Sequence, residues 1–375
     1  VLFMGITSFF TLGVVLVLLG VNQAAMARDL SLDLAASGFL GAALALGLGV
    51  GVTCVGPLVD RIAGRPLFVG ACLLTALALW TVQPSMSYAR TVAHVALIGV
   101  GCGGYDTVLN VATFDRFKAR AANALAALHA AATAGAALGP WLITRAMAGG
   151  HWTRTFHALA AIYLGFALWG ALTPLPVRVS HAQPRESSTL ASVSSPALYS
   201  LALIAFAYVG VENGLTMFAV PWAQSHGQAE AIGRSGISAL WLGLFVGRLA
   251  LALQPRPPGT TWLIVCGLLG AAIVCLASAL SLPSLIWVLG SAGLALGPVY
   301  PLMISITARR FPHAVGLASG LAAGAGALGG FSLPWLSGAI GDAIGMRSAI
   351  ATIGGCSVLI ALAAFGLARR PRMPL

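Results

Sequence analysis

Apolar runs recur along this chain at a near-constant spacing, divided by short polar breaks. Twelve are read, over about 3–26, 34–57, 66–83, 91–113, 121–147, 154–172, 197–223, 235–252, 260–281, 284–307, 313–340 and 345–368. Each is long enough to cross about 30 Å of hydrocarbon as a helix, given some tilt. Gly, Ala and Leu dominate and strict alternation is rare, which argues against a transmembrane β-barrel. The pattern predicts an all-α integral membrane protein with twelve transmembrane helices.

Composition agrees with this reading. Of 375 residues, 59% are hydrophobic and 8% charged, with a mean hydropathy of +0.94. A soluble domain carries roughly 25% charged residues, so a water-facing surface could not be covered. A disordered chain, a fibrous repeat and a disulfide scaffold are excluded as well. The net charge of +11 would suggest a nucleic-acid partner in a soluble protein. Twelve spans, however, divide the 20 Lys and Arg into fourteen on one side and six on the other, the six being Arg28, Arg90, Arg145, Arg154, Arg234 and Arg347. Basic residues mark the cytoplasmic side, so both termini are expected there and the charge reflects topology. No nucleic-acid partner is expected. The first apolar segment is too long for the h-region of a signal peptide. All six cysteines fall inside apolar runs without a Cys-x-x-Cys pair, so they read as small buried residues rather than metal ligands.

The least apolar long stretch, 173–196, is rich in Pro, Ser and charge and lies near the chain's midpoint. It reads as a cytoplasmic linker between two six-helix halves, 1–172 and 197–375. The halves resemble each other. Gly56-Pro-Leu-Val-Asp-Arg-Ile62 matches Gly243-Leu-Phe-Val-Gly-Arg-Leu249 at an offset of 187, and Gly139-Pro-Trp-Leu142 matches Leu333-Pro-Trp-Leu336 at an offset of 194. Repeated membrane halves imply a binding site near the bilayer midplane.

Of nine acidic residues, only Asp106 and Glu212 are placed well inside spans. An ionised carboxylate at the bilayer centre costs at least about 2.5–3.5 kcal/mol. Such a group persists by facing a polar cavity, by pairing or by being protonated. Asp106 and Asn110 are four residues apart and share a helix face, where they could hold a proton and hydrogen-bond a hydroxyl-rich ligand. His129 is expected at a similar depth, as a proton relay, a ligand contact or an inter-helix bond. Asn22 and Gln23 near the end of the first helix, and Asn213 beside Glu212, are further polar candidates for the substrate. Tyr105, Tyr208, Trp222, Trp241 and Tyr300 could stack on a sugar ring or simply pack. Trp241, Phe245 and Arg248 share a face, with Arg248 expected near the inner membrane edge as a gate or snorkelling to headgroups. Gly316, Gly320 and Gly324 form a small-residue stripe that would let helices approach closely. Pro298 and Pro301 are expected to break the tenth helix where an unwound segment lines a cavity.

The run from Gly56 to Arg65 resembles the loop motif between the second and third helices of the major facilitator superfamily. It departs from that motif by one extra residue between Arg61 and Gly64 and by Pro66 in place of a basic residue. The resemblance implies a gating role for Asp60, Arg61 and Arg65. Gly-Cys-Gly-Gly-Tyr-Asp106-Thr-Val-Leu-Asn110, then Leu128-His129, Gly135-Ala-Ala-Leu-Gly-Pro140, Tyr208-Val-Gly-Val-Glu212 and Leu296-Gly-Pro-Val-Tyr-Pro301 are similar to the fucose–proton symporter family and its sodium-dependent glucose transporter relatives. In that family a carboxylate of the fourth helix takes the proton, which implies the same for Asp106. The sugar-binding carboxylate that some members carry on the first helix has no counterpart here, where only Asn22 and Gln23 stand.

The reading is a secondary transporter, monomeric, in a bacterial-type plasma membrane, moving a small polar solute. The resemblance makes that solute a sugar and the coupling ion a proton, with sodium as the alternative. Proton coupling is assigned to Asp106, Glu212 and His129, and substrate contact to Asn22, Gln23, Tyr105, Asn110, Asn213, Trp241 and Tyr300. Efflux of an amphiphilic compound is the rival within transport, and a non-transporting receptor the rival outside it. No Gly-Lys-Ser/Thr loop, His-Glu-x-x-His or Gly-x-Ser-x-Gly is found, so neither an ATP-driven machine nor an enzyme is expected. Gly324-Ala-Gly326-Ala-Leu-Gly329 has dinucleotide-type spacing but no preceding strand, and no cofactor is assigned.

Overall fold

The computed structural model describes residues 1–59, 61–148, 150–173, 195–254, 259–280, 284–311 and 315–369, without the side chains at 119, 122, 315 and 316. Among the described residues it is all-helical. Its first unit contains α1 (Leu2–Leu30), α2 (Leu34–Val59), α3 (Gly64–Trp80), α4 (Tyr88–Phe117), a 3₁₀ turn (Lys118–Arg120), α5 (Ala121–Met147) and α6 (Thr153–Leu172). Its second contains α7 (Pro196–Ser225), α8 (Glu230–Ala252), α9 (Thr260–Leu280), α10 (Leu285–Leu296), α11 (Val299–Arg310), α12 (Val315–Ile344) and α13 (Met346–Ala368). The two compact units are Val1–Ala182 and Gln183–Leu375. Most of the stretch read as a linker lies outside the described residues.

Among the described residues, eleven helical segments are long and apolar enough to span a membrane, Leu285–Arg310 counting as one of them. The twelfth, α3, has 17 residues, the lower end of what crosses hydrocarbon. The large apolar side chains that remain exposed, among them Leu77, Leu168 and Trp287, form the kind of surface that lipid covers. Local chemistry sets several ends. Ser31 turns left-handed (φ 52°) after α1 and returns its N–H to the Ala27 carbonyl. Asp33 Oδ1 accepts from the Ala36 N–H at 2.7 Å as α2 begins, satisfying a first-turn donor.

The tenth span breaks where the prolines predict. α10 stops at Leu296, Pro298 precedes α11, and Pro301 falls in α11's first turn, where a missing N–H is tolerated.

Packing repeats between the units. In the first, α1 pairs with α5, α2 with α4 and α3 with α6; in the second, α7 pairs with α12, α8 with α10 and α9 with α13. Glycines permit the close approaches. A methyl group added at Gly47 or Gly51 of α2 would overlap carbonyls of α4, and one at Gly99 or Gly103 would overlap those of α2. Gly243 and Gly247 of α8 oppose Gly293 of α10 and Gly297 just past its end in the same way. Gly135 meets the Phe10 carbonyl and Gly329 the Phe206 carbonyl; the two glycines are 194 apart, the offset found in sequence. The expected stripe on α12 is corrected here. Gly320 and Gly324 have open space around them, and α12 meets α7 through Gly326 and Gly329 instead.

Candidate functional site

The glycines that let α4 lie against α2 belong to the run that leads into its polar face. Asn110 Nδ2 donates to Asp106 Oδ2 at 3.2 Å, the one-turn contact that their spacing predicts. Asn110 Oδ1 is buried with no hydrogen-bond partner, and so is the hydroxyl of Thr113, a further turn along. Asp106, Asn110 and Thr113 thus form a strip in which two polar atoms await a partner. No Lys or Arg among the described residues pairs with Asp106. His129, on α5, is exposed and stands edge-on to Phe9 with ring centroids 5.4 Å apart.

Tyr105 points away from that strip. Its ring is fully buried, its hydroxyl lies 2.8 Å from that of Tyr163 on α6, and Cys102 Sγ is 3.7 Å from the same Tyr163 oxygen. This inter-helix knot engages the Tyr105 hydroxyl. Asn22 and Gln23 are likewise buried between helices. Asn22 Nδ2 donates to the Leu18 carbonyl and to Thr155 Oγ1, and Gln23 Nε2 donates to Ser37 Oγ at 3.2 Å. Arg65 donates to the Ala171 carbonyl, tying the start of α3 to the end of α6. Arg61 is exposed, and Asp60 lies outside the described residues.

The second unit holds a different arrangement. Glu212, midway along α7, accepts from the Tyr208 hydroxyl at 2.5 Å. Arg248 of α8 crosses to the same place, its Nη2 2.9 Å from Tyr208 Oη and 3.4 Å from Glu212 Oε2. The ring of Tyr300, on α11, packs against Tyr208 with centroids 5.8 Å apart. The guanidinium therefore points toward α7 rather than snorkelling to headgroups. Glu212 keeps 12% and Arg248 27% of side-chain surface accessible, so both can be touched by a small molecule. Nearer the other end of α7, the buried Trp241 donates from Nε1 to Thr216 Oγ1 at 3.1 Å. Asn213 is half-buried and Trp222 buried.

The ion pair and Thr113 were not legible as site features in advance. The i, i+4 spacing of Tyr208 and Glu212 was a signal for half of the pair; Arg248 required the α7–α8 register. Among the described residues no group of three or more His, Cys, Asp or Glu side chains could hold a metal.

The sequence model of the Major Facilitator Superfamily matches residues 1–260. The chain belongs to this superfamily. It is a multi-pass membrane transporter and not an enzyme. No curated protein matches it. Among solved structures it is similar to a bacterial homologue of the human lysosomal transporter Spinster, in an inward-facing and occupied conformation, at 16% identity and a TM-score of 0.74, covering 98% of this chain and 96% of that one. It is also similar to the nucleoside transporter NupG, at 14% identity and a TM-score of 0.79, over 97% and 98% of the two chains. The transporter FucP in its outward conformation matches at 17% identity and a TM-score of 0.65, over 98% and 99%. At these identities the three support the fold of this transporter and leave its chemistry to its own residues.

Proposed function

We propose that this transporter moves a small hydroxyl-bearing solute, a sugar in first place, by alternating access coupled to a proton carried on Asp106. The observation behind this reading is the α4 strip. Asp106 meets an amide and no cation among the described residues, so gaining or losing a proton there changes the charge of the site without breaking an ion pair. The unpartnered Asn110 oxygen and Thr113 hydroxyl suit sugar hydroxyls, which donate and accept at once. NupG, by name, carries nucleosides, ribose-bearing solutes of this polarity class. His129, exposed one helix away, is the proton's route to water on this reading. Residues 1–172 and 197–375 are the two halves joined by the linker, both termini are cytoplasmic, and the protein works as a monomer in the plasma membrane. Asp60, Arg61 and Arg65 act at the cytoplasmic gate.

The test is uptake of a panel of labelled sugars and nucleosides into proteoliposomes, with and without an inwardly directed proton gradient. Gradient-dependent accumulation of one panel member supports the reading. Equal uptake with and without the gradient, for every solute that enters, refutes proton coupling.

A further inference from the structure

We propose that the Tyr208–Glu212–Arg248 cluster is a carboxylate-binding site, so that the transported solute carries a single carboxylate, as a sugar acid or other hydroxy acid does. This rests on the transporter reading above and narrows its substrate class. A guanidinium inside a membrane bundle is costly unless a negative charge lies beside it. Here that charge is Glu212, held by one Nη2–Oε2 contact at 3.4 Å rather than by the two parallel bonds that make an arginine–carboxylate pair strong. The tighter bonds run through Tyr208, which donates to Glu212 at 2.5 Å and accepts from Arg248 at 2.9 Å. The cation is thus neutralised by a neighbour that can itself be neutralised. When Glu212 takes a proton from water on Oε2, the negative charge 3.4 Å from the guanidinium is lost, and the carboxylate of an incoming solute can replace it.

The accessible surface left on both side chains gives that solute a place to touch. Tyr300, packed on Tyr208, offers a ring beside the charge for the body of the ligand. One cation matches one negative charge; a phosphate dianion would want a second, and Arg248 is the cation among the described residues that pairs with Glu212. The other helices packed on α7 bring no competing charge midway along their length. α11 has Arg309 and Arg310 in its last turn, α12 has Asp342 in its last turn, and α13 has Arg347 in its first turn and the uncharged thiol of Cys356 within. α10 and the remaining turns of α8 near the pair carry no acid or base. Proton and anion therefore bind together at this cluster, and each raises affinity for the other.

The experiment is calorimetric titration of the purified full-length protein with sodium acetate, lactate, gluconate and glucuronate at constant ionic strength, at pH 6 and pH 8. Glucose and glycerol serve as uncharged counterparts. The wild type should bind at least one of the carboxylates about tenfold more tightly at pH 6 than at pH 8, taking up a proton from buffer at pH 8. Glu212→Gln should bind it equally at both pH values, with no proton uptake. The double variant Glu212→Gln/Arg248→Gln, which leaves no charge of this pair without its partner, should bind none of them. Overturning results are no carboxylate binding to Glu212→Gln, full binding by the double variant, pH-independent binding in the wild type, or glucose binding as tightly as glucuronate. No gradient is present and Asp106 is unchanged, so these outcomes stand apart from the coupling test above.

Discussion

Each unit of this transporter carries one carboxylate deep in a span, and the two are treated in opposite ways. Asp106 of α4 sits beside an amide. Glu212 of α7 sits beside a phenol and a guanidinium. The glycine-lined contact of α2 on α4 recurs as α8 on α10, but Asp106 lies on α4 while Glu212 lies on α7, which packs on α12 as α1 packs on α5. The two carboxylates therefore differ in their place in the repeat as well as in the charge beside them. A carboxyl group without a cation can gain and lose a proton while its neighbours stay in place. A carboxylate opposite an arginine is half of a neutral pair, and losing either member leaves the other exposed to a medium that solvates it poorly.

The largest effect should come from breaking the pair. Arg248→Gln leaves Glu212 as an uncompensated charge and should destabilise the protein by about 3–5 kcal/mol, read as a large fall in thermal-unfolding midpoint in detergent. Adding Glu212→Gln should recover most of the loss. Asp106→Asn orphans no ion and should stay within about 1 kcal/mol of wild type. Comparable losses for Arg248→Gln and Asp106→Asn would erase the contrast.

A control separates charge from packing. Gly103→Ala in α4 and Gly293→Ala in α10 each push a methyl group onto a facing carbonyl, and each should cost about 1–3 kcal/mol by overpacking. Similar losses in the two, measured by the same unfolding assay, would show that the scaffolds are equivalent. A loss confined to one unit would mean that packing differs as well.

The smallest effects concern single hydrogen bonds. Tyr208→Phe removes the hydroxyl between Glu212 and Arg248 and should cost about 1–2 kcal/mol, because its partner is charged. Asn110→Ala removes a bond to Asp106 and should cost about 1 kcal/mol. An Asn110→Ala loss well above that of Tyr208→Phe would imply that Asp106 is held more firmly than its geometry shows.

Much of the fold was legible because crossing a bilayer is a one-dimensional demand: an apolar run of sufficient length is a span whatever it packs against. The repeat could be read too, since Gly135 and Gly329 make equivalent contacts at the offset seen between Gly139-Pro-Trp-Leu142 and Leu333-Pro-Trp-Leu336. Pro298 announced the break between α10 and α11. The Gly320–Gly324 stripe misled because small residues permit close approach without requiring it. At the site, Asp106 and Asn110 were readable because four residues make one turn. The pairing of Arg248 with Glu212 was not, since it depends on which turns of α7 and α8 face each other. Asn22 and Gln23, read as ligand contacts, bond Thr155 and Ser37 on other helices through their amide nitrogens, while Asn22 Oδ1 and Gln23 Oε1 stay buried without a partner.

The central claim is that Asp106 carries a driving proton of its own, while the proton that Glu212 takes accompanies the bound anion. Once a transported solute has been found in the uptake panel, wild type, Asp106→Asn and Glu212→Gln should be compared in proteoliposomes for gradient-driven accumulation and for counterflow without a gradient. Asn imitates a protonated Asp in shape, so Asp106→Asn should keep counterflow and lose most of the gradient-driven accumulation, while Glu212→Gln should chiefly change the half-saturating concentration and still accumulate. Full gradient-driven accumulation by Asp106→Asn would contradict the account.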